Sequence, residues 1–255
     1  MHRVAVDHLS CLVSGEGPTL VFLHGLAGSA GEAPFGLPGH RIVAPDQRGH
    51  GRSERRPGDL SRSAYVNDVV TVIRTLAGGG PVALAGQSMG AHTAMLTAAW
   101  HPELVSRLIM LEGGVGGSDD DYPTRLGKWF ASWPAPFPTR DAAVEFLGGT
   151  PFARALAEDL AEEPGGFRPR FDADIMEAAI RPVAEQARWD EWAQITTPTL
   201  LVRGEDSRLP DEEVQRMLSL RPDVEVATIP GSTHDAHLDR PGEWITLIMG
   251  FLRRA

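Results

Sequence analysis

Cysteine is almost absent from this chain of 255 residues, in which Cys11 is the only one. An intramolecular disulfide is therefore excluded. Long apolar runs are missing as well: none approaches the ~20 residues that cross a membrane. The first residues, Met1 to Asp7, lack the apolar core of a signal peptide. These absences predict a soluble cytoplasmic protein that does not act in a membrane.

Basic residues are in deficit, with 24 Lys and Arg against 34 Asp and Glu, for a formal net charge of -10. Such a surface repels polyanions, so nucleic acid is not expected as a partner. No His, Asp and Glu cluster has metal-ligand spacing, and we expect neither a metal nor another cofactor. What is abundant is apolar sequence, 42% of the residues, which suffices for one large domain with room for an insertion.

Short apolar runs alternate with helical patterns in both halves of the chain. Thr19 to Leu23 and Val82 to Ala85 have the length and composition of buried strands, and Ser61 to Leu76 has the apolar spacing of a helix. This alternation predicts an α/β fold, with a mostly parallel sheet and helices on both faces. Ligands bind at the carboxyl ends of strands in such sheets. Four polar residues stand at predicted strand ends: His24, Asp46, Ser88 and Glu112.

The alternation stops between Gly113 and about Trp192, where no strand-like run occurs. Short helical patterns separated by prolines fill this range, which holds ten of the fifteen Trp and Phe residues. We interpret residues 113–192 as a helical cap inserted into an α/β core of residues 1–112 and 193–255. Some of its aromatic side chains must form its own core. We expect others, Trp129 and Trp133 among them, to line an apolar pocket above Ser88.

The stretch Gly86-Gln87-Ser88-Met89-Gly90 carries the clearest chemical signal. A Gly-x-Ser-x-Gly pattern between a strand and a helix puts a serine on a sharp turn, at a helix N-terminus that favours developing negative charge. A serine hydroxyl needs a histidine base that a carboxylate holds in place. His234 fits this role because it follows the last predicted strand, and the expected order along the chain is serine, acid, histidine.

Four stretches together resemble the α/β-hydrolase superfamily, over nearly the whole chain, with some similarity to its menaquinone-pathway enzymes. They are His24-Gly25, Asp46 to Ser53, Gly86 to Gly90, and Gly231 to His234. The resemblance implies an eight-stranded sheet with a helical cap between the sixth and seventh strands. It also implies an oxyanion hole formed by the backbone amides of Met89 and Leu26, with His24 and Gly25 beside the substrate.

The resemblance leaves two candidates for the triad acid. Most members of the superfamily carry an aspartate after the seventh strand, and Asp206 lies one residue early for that pattern. Other members, haloalkane dehalogenases among them, carry the acid after the sixth strand, where Glu112 stands. Menaquinone-pathway enzymes read Glu-Gly-Gly at that point and still use the later aspartate. We therefore favour Asp206 and keep Glu112 as the alternative.

The function predicted from these residues is hydrolysis of a carboxylic ester or lactone that has an apolar part. Ser88 would attack the carbonyl, His234 would transfer the proton, and the two amides would hold the oxyanion. A serine nucleophile disfavours haloalkane dehalogenases and epoxide hydrolases, which carry aspartate there. The expected partner is a small-molecule substrate, and the expected protein is a monomer or a homodimer.

Two further functions remain open at this point. One is a lyase or carbon–carbon bond hydrolase of the menaquinone-pathway or meta-cleavage type. Its carboxylate substrates would favour a cationic pocket wall, for which Arg48, Arg125 and Arg154 are candidates. The other is a ligand-binding receptor on the same fold, which would bind tightly and turn over slowly.

Overall fold

A computed structural model of the chain describes residues 1–118 and 121–254. Residues 119 and 120, which fall inside the predicted cap, and residue 255 lie outside the described residues. A large sheet is built from eight strands, which are β1 (His2–Val6), β2 (Leu9–Ser14), β3 (Thr19–Leu23), β4 (Arg41–Pro45), β5 (Val82–Gln87), β6 (Val105–Leu111), β9 (Thr199–Gly204) and β10 (Glu225–Ile229). A small hairpin supplies β7 (Ala161–Glu163) and β8 (Gly166–Arg168).

The strands of the large sheet lie in the order β1-β2-β4-β3-β5-β6-β9-β10. β1 and β2 form an antiparallel hairpin, and β2 pairs antiparallel with β4. Every pair from β4 across to β10 is parallel. This confirms the predicted fold class, a mostly parallel eight-stranded sheet. The carboxyl ends of the parallel strands share one edge, and the candidate catalytic residues follow directly from it.

Helices cover both faces of this sheet and fill the inserted segment. Their bounds are α1 (Arg62–Leu76), α2 (Met89–Trp100), α3 (Tyr122–Ala131), α4 (Arg140–Phe146), α5 (Pro151–Asp159), α6 (Ala173–Glu185), α7 (Trp189–Gln194), α8 (Asp211–Leu220), α9 (Ala236–Asp239) and α10 (Pro241–Leu252). Side chains alternate along β3, so Val21 and Leu23 join the apolar layer under α1 and α2. Leu20 and Phe22 join the layer under α10. The central strands are buried on both sides, which explains their continuous apolar runs.

Local signals in the sequence fix where the helices begin and end. The hydroxyl of Ser61 accepts a hydrogen bond from the amide of Ala64 and so caps α1. Gly78 and Gly79 follow the end of that helix with φ of +72° and +74°, a conformation that glycine adopts without strain. Thr139 and Thr150 cap α4 and α5 in the same way as Ser61.

The segment between β6 and β9 departs from the expectation in one respect. It holds the predicted short helices, but it also holds the β7–β8 hairpin, where no strand was expected. The turn of the hairpin uses Gly165 and Gly166 with φ of +95° and +133°. A Cβ at Gly166 would lie 2.3 Å from the carbonyl oxygen of Phe137, so the backbone approach itself requires glycine. Strands this short and polar leave no apolar run to detect.

Two of the aromatic residues counted with the cap belong to the core instead. Trp192 of α7 is fully buried and its indole NH donates to the carbonyl of Met217 at 2.9 Å. Trp189 packs against the same core layer. Among the described residues, no helix is both long and apolar enough to cross a membrane.

Candidate active site

Ser88 stands at a sharp turn between β5 and α2. Its φ of +53° is in the left-handed region, which costs a non-glycine residue of order 1–3 kcal/mol. A Cβ at Gly86 would lie 2.3 Å from the carbonyl oxygen of Gly90, and a Cβ at Gly90 would lie 2.2 Å from that of Leu23. Both glycines of the motif are therefore needed for the backbone to pack this closely.

The residues predicted to form the oxyanion hole, Met89 and Leu26, both belong to segments next to Ser88. Met89 is the first residue of α2, so its amide has no acceptor within the helix. Leu26 follows Gly25, and a Cβ at Gly25 would lie 3.4 Å from the Cβ of Ser88. The loop after β3 thus packs directly on the serine, and it brings the Leu26 amide to the same end of the sheet.

Glu112, the residue after β6, lies against His234. One of its carboxylate oxygens is 3.1 Å from His234 Nδ1. The Glu112 side chain is fully buried, whereas that of His234 is 18% exposed. The same carboxylate accepts hydrogen bonds from the amide of Gly204 at 2.8 Å and from the amide of Arg208 at 3.0 Å. Its backbone φ of +49° is in the left-handed region, like that of Ser88.

The hydrogen bonds to Glu112 decide its charge. Burial alone would raise the pKa of the carboxyl, but hydrogen bonds from His234, from the Ser207 hydroxyl and from the two amides lower it below its ordinary value. The carboxylate is therefore ionised at neutral pH. An ionised acceptor at Nδ1 holds the proton on that nitrogen and leaves Nε2 free to accept another.

The preference for Asp206 as the acid is not supported by this geometry. Asp206 is exposed, and its amide donates to the carbonyl of Ser232 at 3.0 Å. Among the described hydrogen bonds, none joins its carboxylate to His234. The physical reason is that the chain after β9 wraps around the Glu112 carboxylate, so that carboxylate occupies the place beside Nδ1.

A cavity of about 440 Å³ opens at this end of the sheet. Ser88, His234, Glu112 and Met89 line one side of it. The other walls come from α3, α6, the loop after β6 and the start of α8, through residues that include Tyr122, Ile180, Val183, Ala184, Leu209, Pro210 and Glu213. Most of this wall is apolar. The cavity can therefore hold an apolar group next to the serine.

Trp129 and Trp133, which were expected to line the pocket, do not border this cavity. Their rings meet edge to face with centres 5.1 Å apart, in a cluster with Phe130, Phe137 and Phe171. Trp133 is buried there, and Trp129 is 44% exposed at its edge. The expectation was wrong because the aromatic face of α3 turns inward to form the core of the inserted segment.

His24 and Asp46 organise the loops around the site and do not line the cavity. The ring of His24 accepts the amide of Gln47 at 2.9 Å and is fully buried. The carboxylate of Asp46 accepts the amides of Ala30 and Arg52 at 2.7 Å and 3.0 Å. Gly25 lies beside Ser88, as described above. His24 and Asp46 therefore fix the positions of the loops that follow β3 and β4.

The chain is similar to known proteins over nearly its whole length. The model of the alpha/beta hydrolase family matches residues 20–246. The chain belongs to this family. It is 28% identical to 2-(acetamidomethylene)succinate hydrolase of Mesorhizobium japonicum, over 98% of this chain and 94% of that protein. It is 27% identical to the sn-1-specific diacylglycerol lipase ABHD11 of Mus musculus, over 92% of this chain and 81% of that protein.

A solved structure gives the same picture for the fold. The crystal structure of E-2-(acetamidomethylene)succinate hydrolase superposes with a TM-score of 0.87 at 26% identity, and the match covers 98% of each chain. The α/β-hydrolase resemblance is thereby confirmed.

Gln87 is a site residue that the sequence interpretation missed. Its side-chain amide donates to the carbonyl of His234 at 3.0 Å, which ties the histidine loop to the end of β5. Its Oε1 atom fills the space over Gly25, where a Cβ would come within 2.1 Å. The available signal was its place between Gly86 and Ser88 at the end of a buried strand, where a polar side chain needs a partner.

Proposed function

We propose that the protein is a serine hydrolase of carboxylic esters or lactones, with Ser88 as nucleophile, His234 as base and Glu112 as acid. The contact of 3.1 Å between the buried Glu112 carboxylate and His234 Nδ1 carries this proposal. Ser88 and His234 line the same cavity, which supports it. Membership of the alpha/beta hydrolase family and the two related hydrolases support a hydrolytic reaction.

The proposed mechanism uses the two nitrogens of His234 for different tasks. Nδ1–H donates to Glu112, so Nε2 takes the proton of Ser88 as its oxygen attacks the ester carbonyl. The carbonyl oxygen becomes an oxyanion held by the amides of Met89 and Leu26. His234 then protonates the leaving alcohol. Water, deprotonated by Nε2, then attacks the acyl-enzyme carbonyl. As the bond to Ser88 breaks, Nε2–H returns the proton to the Ser88 oxygen, which releases the acid and restores the enzyme.

We further propose that residues 113–192 act as a cap that selects the substrate. Tyr122, Ile180 and Val183 of this segment border the cavity opposite Ser88. Their apolar surface would bind an apolar acyl or alcohol group and would exclude water from the reacting carbonyl. The lipase among the relatives supports a substrate with an apolar part.

The carbon–carbon bond hydrolase or lyase is the weaker candidate, and so is the receptor. Arg48 makes a buried ion pair with Asp68 at 2.6 Å, and Arg154 is exposed on α5. Neither these two nor Arg125 borders the cavity among the described residues, although Arg208 does. The presence of one arginine at the wall keeps a carboxylate substrate open, so kinetics must rank the two reactions. Rapid catalytic turnover of an ester or lactone would distinguish the protein from a ligand-binding receptor.

A panel of p-nitrophenyl esters and lactones tests this proposal. The wild-type protein is expected to hydrolyse at least one ester or lactone with an apolar chain. Ser88→Ala is expected to lower kcat by about 10⁴-fold or more with an unchanged Tm, since only the nucleophile is lost. Hydrolysis that survives in Ser88→Ala would contradict the proposal.

A further inference from the structure

Three basic side chains near the inner end of the cavity have nitrogens without a hydrogen-bond partner. They are Arg62, His92 and Arg188, here named the basic cluster. Among the described residues, Nε and Nη1 of Arg62, both ring nitrogens of His92 and Nε of Arg188 are buried and make no hydrogen bond of good geometry. Buried polar groups are almost always satisfied, so this concentration of donors calls for an explanation.

His92 is the member of the cluster that reaches the cavity. It lies four residues after Ser88, in the first turn of α2, and its backbone amide donates to the Ser88 carbonyl at 3.1 Å. The ring is 1% exposed and borders the same cavity as Ser88. The Val115 carbonyl lies near it and favours a proton on the ring, although it makes no well-formed hydrogen bond.

Arg62 and Arg188 lie behind this ring. Burial lowers the pKa of His92 well below its ordinary value, and the charges of the two guanidinium groups lower it further. The ring is therefore neutral and has one N–H to donate. Arg62, 2% exposed, stacks over Tyr65 with its Cζ atom 4.5 Å from the ring centre and donates to the Thr93 hydroxyl.

The charges of the cluster do not cancel. Arg188 pairs with Glu191 at 2.9 Å. Arg62 has no carboxylate partner among the described residues. Burial lowers its pKa to about 10, so it still carries its charge at neutral pH. A buried cation without a counter-ion is costly, and an anion in the neighbouring cavity would offset that cost.

Besides His92, the charged side chains that border the same cavity are Glu112, Glu213 and Arg208. Glu213 accepts the amide of Val115 at 3.0 Å, and burial raises its pKa. It extends from α8, whereas the basic cluster lies on the side of α1 and α2. The acid therefore limits how strongly an anion binds, but it does not pair with Arg62.

We propose that the inner end of the cavity binds a carboxylate of the substrate, to which His92 donates a hydrogen bond and Arg62 and Arg188 supply positive charge. This inference rests on the proposed hydrolase function and names its substrate class. Because His92 comes one helical turn, about 5 Å of rise, after Ser88, a short acyl chain should suffice to join the substrate carboxylate to the reacting carbonyl. The substrates that fit are half-esters of short dicarboxylic acids, such as succinate and glutarate.

The test compares three esters that differ only at the far end of the acyl chain: p-nitrophenyl hydrogen glutarate, p-nitrophenyl methyl glutarate and p-nitrophenyl valerate. The half-ester is expected to exceed both neutral esters in kcat/KM by about tenfold, the usual scale for a hydrogen bond to a charged group. Arg62→Met and His92→Leu are expected to remove most of that ratio. His92→Gln, which keeps a donor, should retain part of it.

Arg154→Met is the matched control, because Arg154 is exposed on α5 and does not border the cavity. It should leave the ratio unchanged. If Arg62→Met fails to fold, competition by glutarate and by the neutral glutaramide against hydrolysis of a neutral ester by wild type gives the same comparison, and glutarate should inhibit about tenfold more strongly.

Three results would overturn the subsite. In the first, the wild type has the same kcat/KM for the half-ester as for the neutral esters. In the second, the methyl ester reaches the kcat/KM of the half-ester. In the third, the variants lower kcat/KM for all three esters by the same factor. If the protein hydrolyses neutral esters and shows no preference for the half-ester, the subsite is wrong and the hydrolase proposal is unaffected. If no ester is turned over, the hydrolase proposal fails, and titration of the wild type with glutarate by calorimetry would still test the subsite.

Discussion

Ser88 and Glu112 share a conformation that is rare for residues with a side chain. Both follow the carboxyl end of a parallel strand, and their φ values are +53° and +49°. Such strain persists where surrounding contacts fix the backbone, and it concentrates at functional sites. For Glu112, the contacts are the two amides and the histidine that surround its carboxylate. The strained backbone of Glu112 is therefore held in place by the same contacts that surround its carboxylate.

The first residue-scale prediction separates the two candidate acids. Glu112→Gln keeps the shape of the side chain but removes the charge that stabilises protonated His234, so kcat should fall by about 10⁴-fold. Asp206→Asn changes an exposed carboxylate that does not contact His234, so kcat should stay within about threefold of wild type. Steady-state kinetics with one hydrolysed ester measures both. If Asp206→Asn loses activity and Glu112→Gln keeps it, the triad acid is Asp206 in the loop after β9.

The second prediction concerns stability and pH. The pKa of Glu112 in the folded protein lies below its ordinary value of 4.5, so the folded state favours the carboxylate. Its contribution to the free energy of unfolding is present above pH 4.5 and is lost as the pH falls through the folded pKa. The difference between wild type and Glu112→Gln in urea unfolding should therefore shrink on acidification. A difference that grows at low pH would contradict this sign.

The sequence alone could not identify the triad acid. Ser88 and His234 were identified from motifs whose local geometry is fixed by neighbouring residues. The choice between Asp206 and Glu112 depended on which carboxylate reaches His234 Nδ1. That is settled by how the loop after β9 packs, and no spacing along the chain contains this information.

At the scale of elements, α3 and α6 of the inserted segment pack against different surroundings. α6 turns Ile180 and Val183 toward the cavity, whereas Phe130 of α3 and Trp133, just after the end of α3, pack in the aromatic cluster. The sequence predicted helices here, and it predicted that aromatic residues would form both a core and a pocket. It could not assign each residue to one of the two, because the rotation of a short helix depends on its neighbours.

The element-scale prediction follows from this division. Val183→Trp places a large ring in a cavity of about 440 Å³. Long-chain p-nitrophenyl esters should then lose about tenfold more kcat/KM than the acetate, because only the long chains need that space. Trp129→Ala, outside the cavity and 44% exposed, is the control and should leave the chain-length profile unchanged. If Trp129→Ala alters the profile and Val183→Trp does not, the cavity is not the acyl site.

At the scale of the whole molecule, the parallel sheet brings distant parts of the chain together. Ser88, Glu112 and His234 follow β5, β6 and β10, and a parallel arrangement puts all three strand ends on one edge. The sequence predicted this convergence because alternating strands and helices admit few topologies. It missed the β7–β8 hairpin, whose few polar residues contribute little to any apolar pattern.

The central claim is that Ser88 is a nucleophile activated by His234 and Glu112. Reaction with a fluorophosphonate probe, followed by mass spectrometry of the digested protein, tests it most directly. The wild type should gain one phosphonyl group on the peptide that contains Ser88, Glu112→Gln should react more slowly, and Ser88→Ala should gain none. A modification on another residue, or an unmodified wild type, would contradict the account.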